Sequence, residues 1–155
     1  MSQIIAILNY EEGFRPKPYI DTEGYPTVGT GFLIGPKGAA LSNYTFSLSK
    51  QVSDIWLQEL VDNRIQQMDA KPAILAALNK CNPARRDVLI SMAYQLGTDG
   101  LAGFKNTLDM VAAENFAGAA SGMLNSLWAR QTPKRANRHA EVMRTGTYDI
   151  YKGLI

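Results

Sequence analysis

EEGFRPKPYIDTEGYPTVGTGF, residues 11–32, changes backbone type along its length and carries a reactive side chain on each piece. Just upstream, Ser2 is placed to cap a helix, and Ile4, Ile5 and Leu8 recur at the spacing of one buried helical face. Glu12 continues that face and Gly13 supplies a C-cap, so Glu12 ends a helix at the edge of an apolar seam, while Asn9 and Glu11 point elsewhere. A carboxyl so placed loses hydration, which disfavours its charged form and suits it to donate a proton near neutral pH. The plainer alternative is a helix-end glutamate turned out to water.

Asp21-Thr-Glu-Gly24 has the Asp-first, Gly-last composition of a tight turn. Tyr25 to Phe32 is β-prone but broken by Gly29 and Gly31, as in a short hairpin or bulged ribbon whose backbone approaches something closely. A helix-end carboxyl (Glu12), a turn carboxyl (Asp21) and a strand threonine (Thr27) are thereby able to converge on one wall. Two carboxyls in unlike environments are the minimum for glycosidic hydrolysis, one protonating the leaving oxygen and the other managing water or the sugar. Spacing alone leaves the structural reading open, because most turn aspartates only organise their turn.

The totals restrict the rest. A chain of 155 residues suffices for one sizeable domain or two small lobes without staples. The single Cys81 cannot close an internal disulfide, one histidine cannot complete a Cys/His zinc set, and nothing around Cys81 marks it as a nucleophile. A net charge of +2 permits an anionic polymer as partner but is far from a nucleic-acid tail. The run Ile4 to Leu8 is too short to span a membrane and lacks the flanks of an export signal, so synthesis in a cytosol is expected.

Ile34-Gly-Pro-Lys-Gly38 is a strong turn closing a small β-containing lobe, and residues 39–48 are ambiguous between a short helix and a loop. Ser49 caps a long helical stretch through Met68 that ends at Lys71-Pro72. Further helices are expected from Pro72, from Asn82-Pro83 to Leu96, over 106–113 and 115–124, and from Thr132-Pro133 to Gly146. The class is α+β, mostly α-helical, with a helical lobe beside a small sheet.

The residues also carry a resemblance. Glu12-Gly13, Tyr19, Asp21-Thr-Glu-Gly-Tyr25, Thr27, Gly29 and Gly31 resemble the active-site segment of the T-even bacteriophage lysozymes, the phage-type muramidases or endolysins. The similarity resumes in Pro83-Ala-Arg-Arg86, Tyr94-Gln-Leu-Gly97, Gly103-Phe104, Gln131 to Arg135, Arg144 to Asp149 and Tyr151-Lys152, covering nearly the whole chain. It implies a small lobe of residues 13–60 that includes the start of a connecting helix. Residues 1–12 and 61–155 would form the larger helical lobe, with substrate between the two.

The implied reaction is hydrolysis of the β-1,4 bond between N-acetylmuramic acid and N-acetylglucosamine in bacterial peptidoglycan, with inversion and no metal or organic cofactor. Glu12 would be the acid, while Asp21 and Thr27 would hold the attacking water. Glu23, Gly31 and Leu33 would line the saccharide cleft from one lobe, and Tyr94, Gln95, Phe104 and Thr107 from the other. The arginine matching Arg135 supports the catalytic glutamate in that family. A monomer is expected, made in the host cytoplasm and reaching the periplasmic wall through a holin lesion, with neither nucleic acid nor stable membrane insertion. The competing readings are a catalytically silent wall-binding module, a basic nucleic-acid binder and a transglycosylase.

Some residues have plainer readings. Lys134 to Arg138 lacks the interleaved aromatics of a single-strand binder. His139 reads as a solvated helical histidine, and Trp56 and Trp128 as core rather than sugar platforms. Phe32 stands where the family commonly has a histidine paired with an acid on the connecting helix, and Leu60 falls at the partner position. Losing that buried pair removes a desolvation cost and predicts a flatter pH dependence of stability where such a histidine titrates. The segment before the connecting helix is also shorter than in the family, which affects the small lobe's helix and distal sugar subsites.

Overall fold

The computed structural model describes Met1–Ile155. It contains nine α-helices and one three-stranded antiparallel sheet, the mostly helical α+β class expected. The chain divides into two compact units, Ile5–Leu60 and Met1–Ile4 with Val61–Ile155.

In the smaller unit, α1 (Ile4–Glu12) buries Ile7 and Leu8 and stops at Gly13, whose φ of +76° turns the chain while its N–H bonds the Asn9 carbonyl at 3.0 Å. Strands β1 (Arg15–Ile20), β2 (Pro26–Gly29) and β3 (Phe32–Leu33) then lie side by side in chain order. The β1–β2 register shifts between Arg15 and Tyr19, where Pro16 and Pro18 have no N–H to give the ladder. Tyr19 pairs with Thr27, and Thr27 with Leu33, so these three share one sheet face. Val28 and Phe32 face the other way into the core, where Phe32 stacks on Trp56 of α2 (Lys50–Asp69) with ring centroids 4.5 Å apart.

Phe32 explains one ribbon glycine. A methyl on Gly29 would stand 2.6 Å from the Phe32 ring, so the stack leaves no room there for a side chain. The segment 39–48 holds a single 3-10 turn, Leu41–Asn43, and its end is tied to β1 by Leu48 N–H donating to the Pro16 carbonyl at 2.7 Å.

The larger unit takes up α2 from Val61 and continues through α3 (Pro72–Leu78), α4 (Pro83–Leu96), α5 (Thr98–Ala102) and α6 (Lys105–Ala112). It ends with α7 (Phe116–Leu124), α8 (Leu127–Gln131), α9 (Pro133–Thr145) and a 3-10 turn at Asp149–Tyr151. Asn82 caps α4 by accepting the Arg85 N–H at 3.0 Å, with Pro83 opening the helix. Val88, Leu89, Ile90, Met92 and Ala93 are then all buried, which makes α4 the core helix, and α9 packs on α4, α7 and α8. The five-residue helices α5 and α8 were not expected, because one turn and a half is too short to show a periodicity.

Asp87 of α4 anchors the start of the chain. Its carboxylate accepts from the Ser2 hydroxyl at 2.7 Å, the Gln3 N–H at 2.7 Å and the Tyr148 hydroxyl at 2.5 Å, while Ser2 accepts the Ile4 N–H at 3.2 Å. A buried acceptor thus meets the Gln3 N–H at the head of α1, the helix that ends at Glu12, and Ser2 meets the next one. Burial and the Asp87 bond both push the Tyr148 phenol well above its ordinary range.

Candidate active site

Asp21 and Thr27 meet at the main chain of Tyr25. Asp21 Oδ1 accepts the N–H groups of Glu23 at 2.9 Å and Tyr25 at 2.8 Å, the side-chain-to-backbone turn that an aspartate in this position favours. The Tyr25 carbonyl in turn accepts the Asp21 N–H at 2.9 Å and the Thr27 hydroxyl at 2.9 Å. The separation of the two side chains is therefore set by one residue's peptide groups. Asp21 Oδ2 is left outside the turn, and Thr27, buried at 2% exposure, has spent its only proton on Tyr25. Thr27 can therefore meet a further partner only as an acceptor.

Glu12 reaches the same ribbon from the end of α1. A methyl built on Gly31 would lie 3.3 Å from Glu12 Oε1, so the carboxyl rests close against the Gly31 backbone. Tyr19 is the β-partner of Thr27. Its phenol is raised above its usual range chiefly by burial, with the Arg15 guanidinium pulling it down and the charges of Asp21 and Glu12 pushing it up. Arg15 sits 3.9 Å above the Tyr19 ring. Glu12, Asp21 and Thr27 thus lie within a single compact unit, and the charges of the first two are felt at Tyr19.

Of the expected saccharide contacts in this unit, Glu23 is exposed in the turn, Gly31 flanks Glu12, and Leu33 is 60% exposed on the Thr27 face of the sheet. In the larger unit, Tyr94 and Gln95 are half-buried near the end of α4. Gln95 Oε1 accepts the indole N–H of Trp128 at 2.9 Å, and Trp128 meets Phe104 edge-on at 6.1 Å. Trp128 is buried, as its core reading required. Phe104 and Trp128 also line an open pocket of about 450 Å³ with Leu96, Leu127 and Gln131. Thr107 is buried on α6 and packs close to Gly122 of α7, which leaves it little surface to offer a ligand.

Arg135 is 8% exposed and donates from Nη2 to the Ser91 hydroxyl at 2.9 Å and to its carbonyl at 3.2 Å. The same hydroxyl lies 2.7 Å from Nε2 of His139, whose Nδ1 is 2.9 Å from the Tyr151 hydroxyl. This corrects the reading of His139 as a solvated surface residue: the ring is completely buried. Burial first, then the charges of Arg135 and Arg138, hold it well below the usual histidine range, so it is neutral. Ser91 and Tyr151 supply the polar partners that make burial tolerable.

Other chemistry finds less support. Burial pushes the Cys81 thiol up to about 11, against the pull of Arg85 and Arg86, which makes it a poor nucleophile at neutral pH. No group of three or more His, Cys, Asp or Glu side chains is placed to hold a metal ion. No helix is long and apolar enough to cross a membrane.

Asn9, expected to point away from the apolar seam that carries Glu12, is engaged at both ends of its amide. Asn9 accepts the Thr30 hydroxyl at 2.5 Å and donates to Asp54 Oδ1 at 2.8 Å. Its place one helical turn before Glu12 was the available signal, since residues three apart share a helix face.

Known proteins align in sequence with most of this chain. The sequence model of the family described as phage lysozyme matches residues 9–141. The chain is 29% identical to "Probable T4-type lysozyme 1" of Dictyostelium discoideum over 98% of this chain and 99% of that one. It is 32% identical to the pre-baseplate central spike protein Gp5 of Enterobacteria phage T4 over 94% of this chain, although only 28% of that protein is covered. Against the endolysin of Salmonella phage P22 the identity is 26%, over 90% of this chain and 86% of the relative.

Proposed function

Because the chain belongs to the phage lysozyme family, we propose that it is a muramidase hydrolysing the β-1,4 bond between N-acetylmuramic acid and N-acetylglucosamine in bacterial peptidoglycan. Glu12 delivers a proton to the leaving oxygen. Asp21 and Thr27 hold the water that attacks the sugar.

The observation that carries this reading is the shared anchorage of Asp21 and Thr27 on Tyr25. With its own proton committed, Thr27 accepts one hydrogen of the water, and Asp21 Oδ2 accepts the other. The lone pair of that water is then left for the anomeric carbon, and Asp21 takes up the proton released as the new C–O bond forms. Attack by a held water, rather than by the carboxylate itself, inverts the configuration. Glu23, Gly31 and Leu33 contact saccharide from the ribbon. Tyr94, Gln95 and Phe104 are assigned the same part in the larger unit, whereas the burial of Thr107 leaves it little to offer. In its biological setting the enzyme would lyse a host cell, reaching the wall through a holin lesion.

Digestion of purified peptidoglycan tests the reading. Mass spectrometry should find fragments with reducing N-acetylmuramic acid ends, and early NMR spectra should show the inverted anomer. Anhydro-muramic ends would make the protein a transglycosylase, and binding without fragments would make it a silent wall-binding module.

A further inference from the structure

α1 presents two side chains to the same ribbon turn. Glu12 rests against Gly31, and Asn9, one helical turn earlier, bonds Thr30, the residue directly before Gly31. Thr30 is completely buried, and the glycines on either side of it have φ of +66° and +76°. The turn joins the paired strands β2 and β3, and the Asn9–Thr30 bond ties it to the helix as well.

The orientation of Asn9 is unambiguous. Lys50 Nζ donates to both oxygens of Asp54, at 2.8 and 3.0 Å. An ionised Asp54 can only accept, so the Asn9 amide must turn its NH2 group toward it, at 2.8 Å, and its oxygen toward the Thr30 hydroxyl, at 2.5 Å. Burial works to raise the Asp54 carboxyl, and the bonds from Lys50 and Asn9 overcome it, leaving the group below its usual range. Donation runs from Thr30 through Asn9 to Asp54, which also accepts from Lys50 on its far side, so the charge pair strengthens the bonds behind it.

We infer that Thr30 and Asn9 are positioning residues: their hydrogen bond clamps the Gly29–Gly31 turn to the helix that carries Glu12, and so sets the distance from the proton donor to the strand that carries Thr27. Neither side chain needs to touch substrate. The inference rests on the muramidase reading for its catalytic consequence, but the clamp itself does not.

Thr30→Val keeps the shape and removes the donor, Asn9→Leu removes the acceptor, and Thr30→Ser keeps the hydroxyl. Each is assayed on purified peptidoglycan with kcat and KM measured separately. Thr30→Val and Asn9→Leu should each lower kcat by roughly ten- to a hundredfold with KM nearly unchanged, as a misplaced catalytic group does. The double variant should be no slower than either single one, and Thr30→Ser should restore kcat. Full kcat in a folded Thr30→Val overturns the inference, and so does an equal loss in Thr30→Ser, which would indicate packing alone. In parallel, the Gly31 amide and Glu12 carboxyl NMR resonances should move in Thr30→Val and stay in place in Thr30→Ser. If Thr30→Val does not fold, the same resonances are read in Asp54→Asn, which removes the charge that orients Asn9; resonances that stay in place there overturn the clamp. A wild-type protein inactive on peptidoglycan sinks the muramidase reading instead, and the resonances still decide the clamp.

Discussion

Asp21 and Thr27 are fastened to opposite ends of one residue, Asp21 Oδ1 accepting the Tyr25 N–H at 2.8 Å and the Thr27 hydroxyl donating to the Tyr25 carbonyl at 2.9 Å. Structural and chemical duties of the aspartate are thereby divided between its two oxygens. Asp21→Asn keeps an acceptor for the turn but loses the base, so turnover should drop by at least about a hundredfold while stability is retained. Asp21→Ala loses both, and should also cost roughly 1–3 kcal/mol for the unmet N–H groups. Denaturant titration beside an activity assay separates the two. Equal stability of the two variants would mean that the turn does not need the side chain.

A side chain on Gly31 would crowd the Glu12 carboxyl. The glycine's φ is +76°, and an added methyl would stand 3.3 Å from Glu12 Oε1. Gly31→Ala should therefore cost about 1 kcal/mol in backbone strain. The displaced carboxyl should lower kcat by roughly a hundredfold. Glu12→Gln makes the useful contrast, abolishing turnover with little effect on the denaturation midpoint. Wild-type kcat in Gly31→Ala would show that the carboxyl is not held where the mechanism needs it.

The parts of this site that could be read in advance are those written in local residue choices. Gly13 ends α1 directly after Glu12, Asp21 and Gly24 make the turn, and the β-prone run places Thr27 in a strand. The hub at Tyr25 left no such mark, because it acts through peptide groups that any residue except proline supplies. His139 was misread for a related reason. Flanked by Arg135 and Arg138 it looks solvated, and only the fold brings Ser91 and Tyr151 to its two nitrogens. Asn9 was overlooked because its partners, Thr30 and Asp54, lie on a ribbon and a helix far along the chain.

Ser53 offers a stabilising change. Its hydroxyl is completely buried, makes no hydrogen bond, and lies 3.0 Å from where a Gly29 methyl would stand. An unmet buried hydroxyl costs on the order of 1–3 kcal/mol, and alanine removes it while leaving a gap of a single atom. Ser53→Ala should stabilise the protein by about 1 kcal/mol in urea denaturation. A lower midpoint would mean that the hydroxyl has a partner in solution.

With Phe32 on the ribbon, His139 is the single histidine through which stability depends on pH in the imidazole range. In the folded protein burial and the neighbouring arginines keep this ring neutral well below its ordinary range. The unfolded chain takes up the proton near pH 6.5 and so binds more protons than the folded one below that pH. Stability is therefore complete above about pH 6.5 and declines as the pH falls, by up to about 1.4 kcal/mol per unit until the folded ring titrates. Asp54 adds loss of the same sign only at the lower pH where carboxylates protonate, since its pKa is depressed by Lys50 and Asn9 against its burial. Denaturation between pH 5 and 8 isolates the histidine, the only one in the chain. The wild type should show the slope and His139→Gln should lose most of it. A wild-type profile flat across that range would mean that His139 accepts a proton inside the fold.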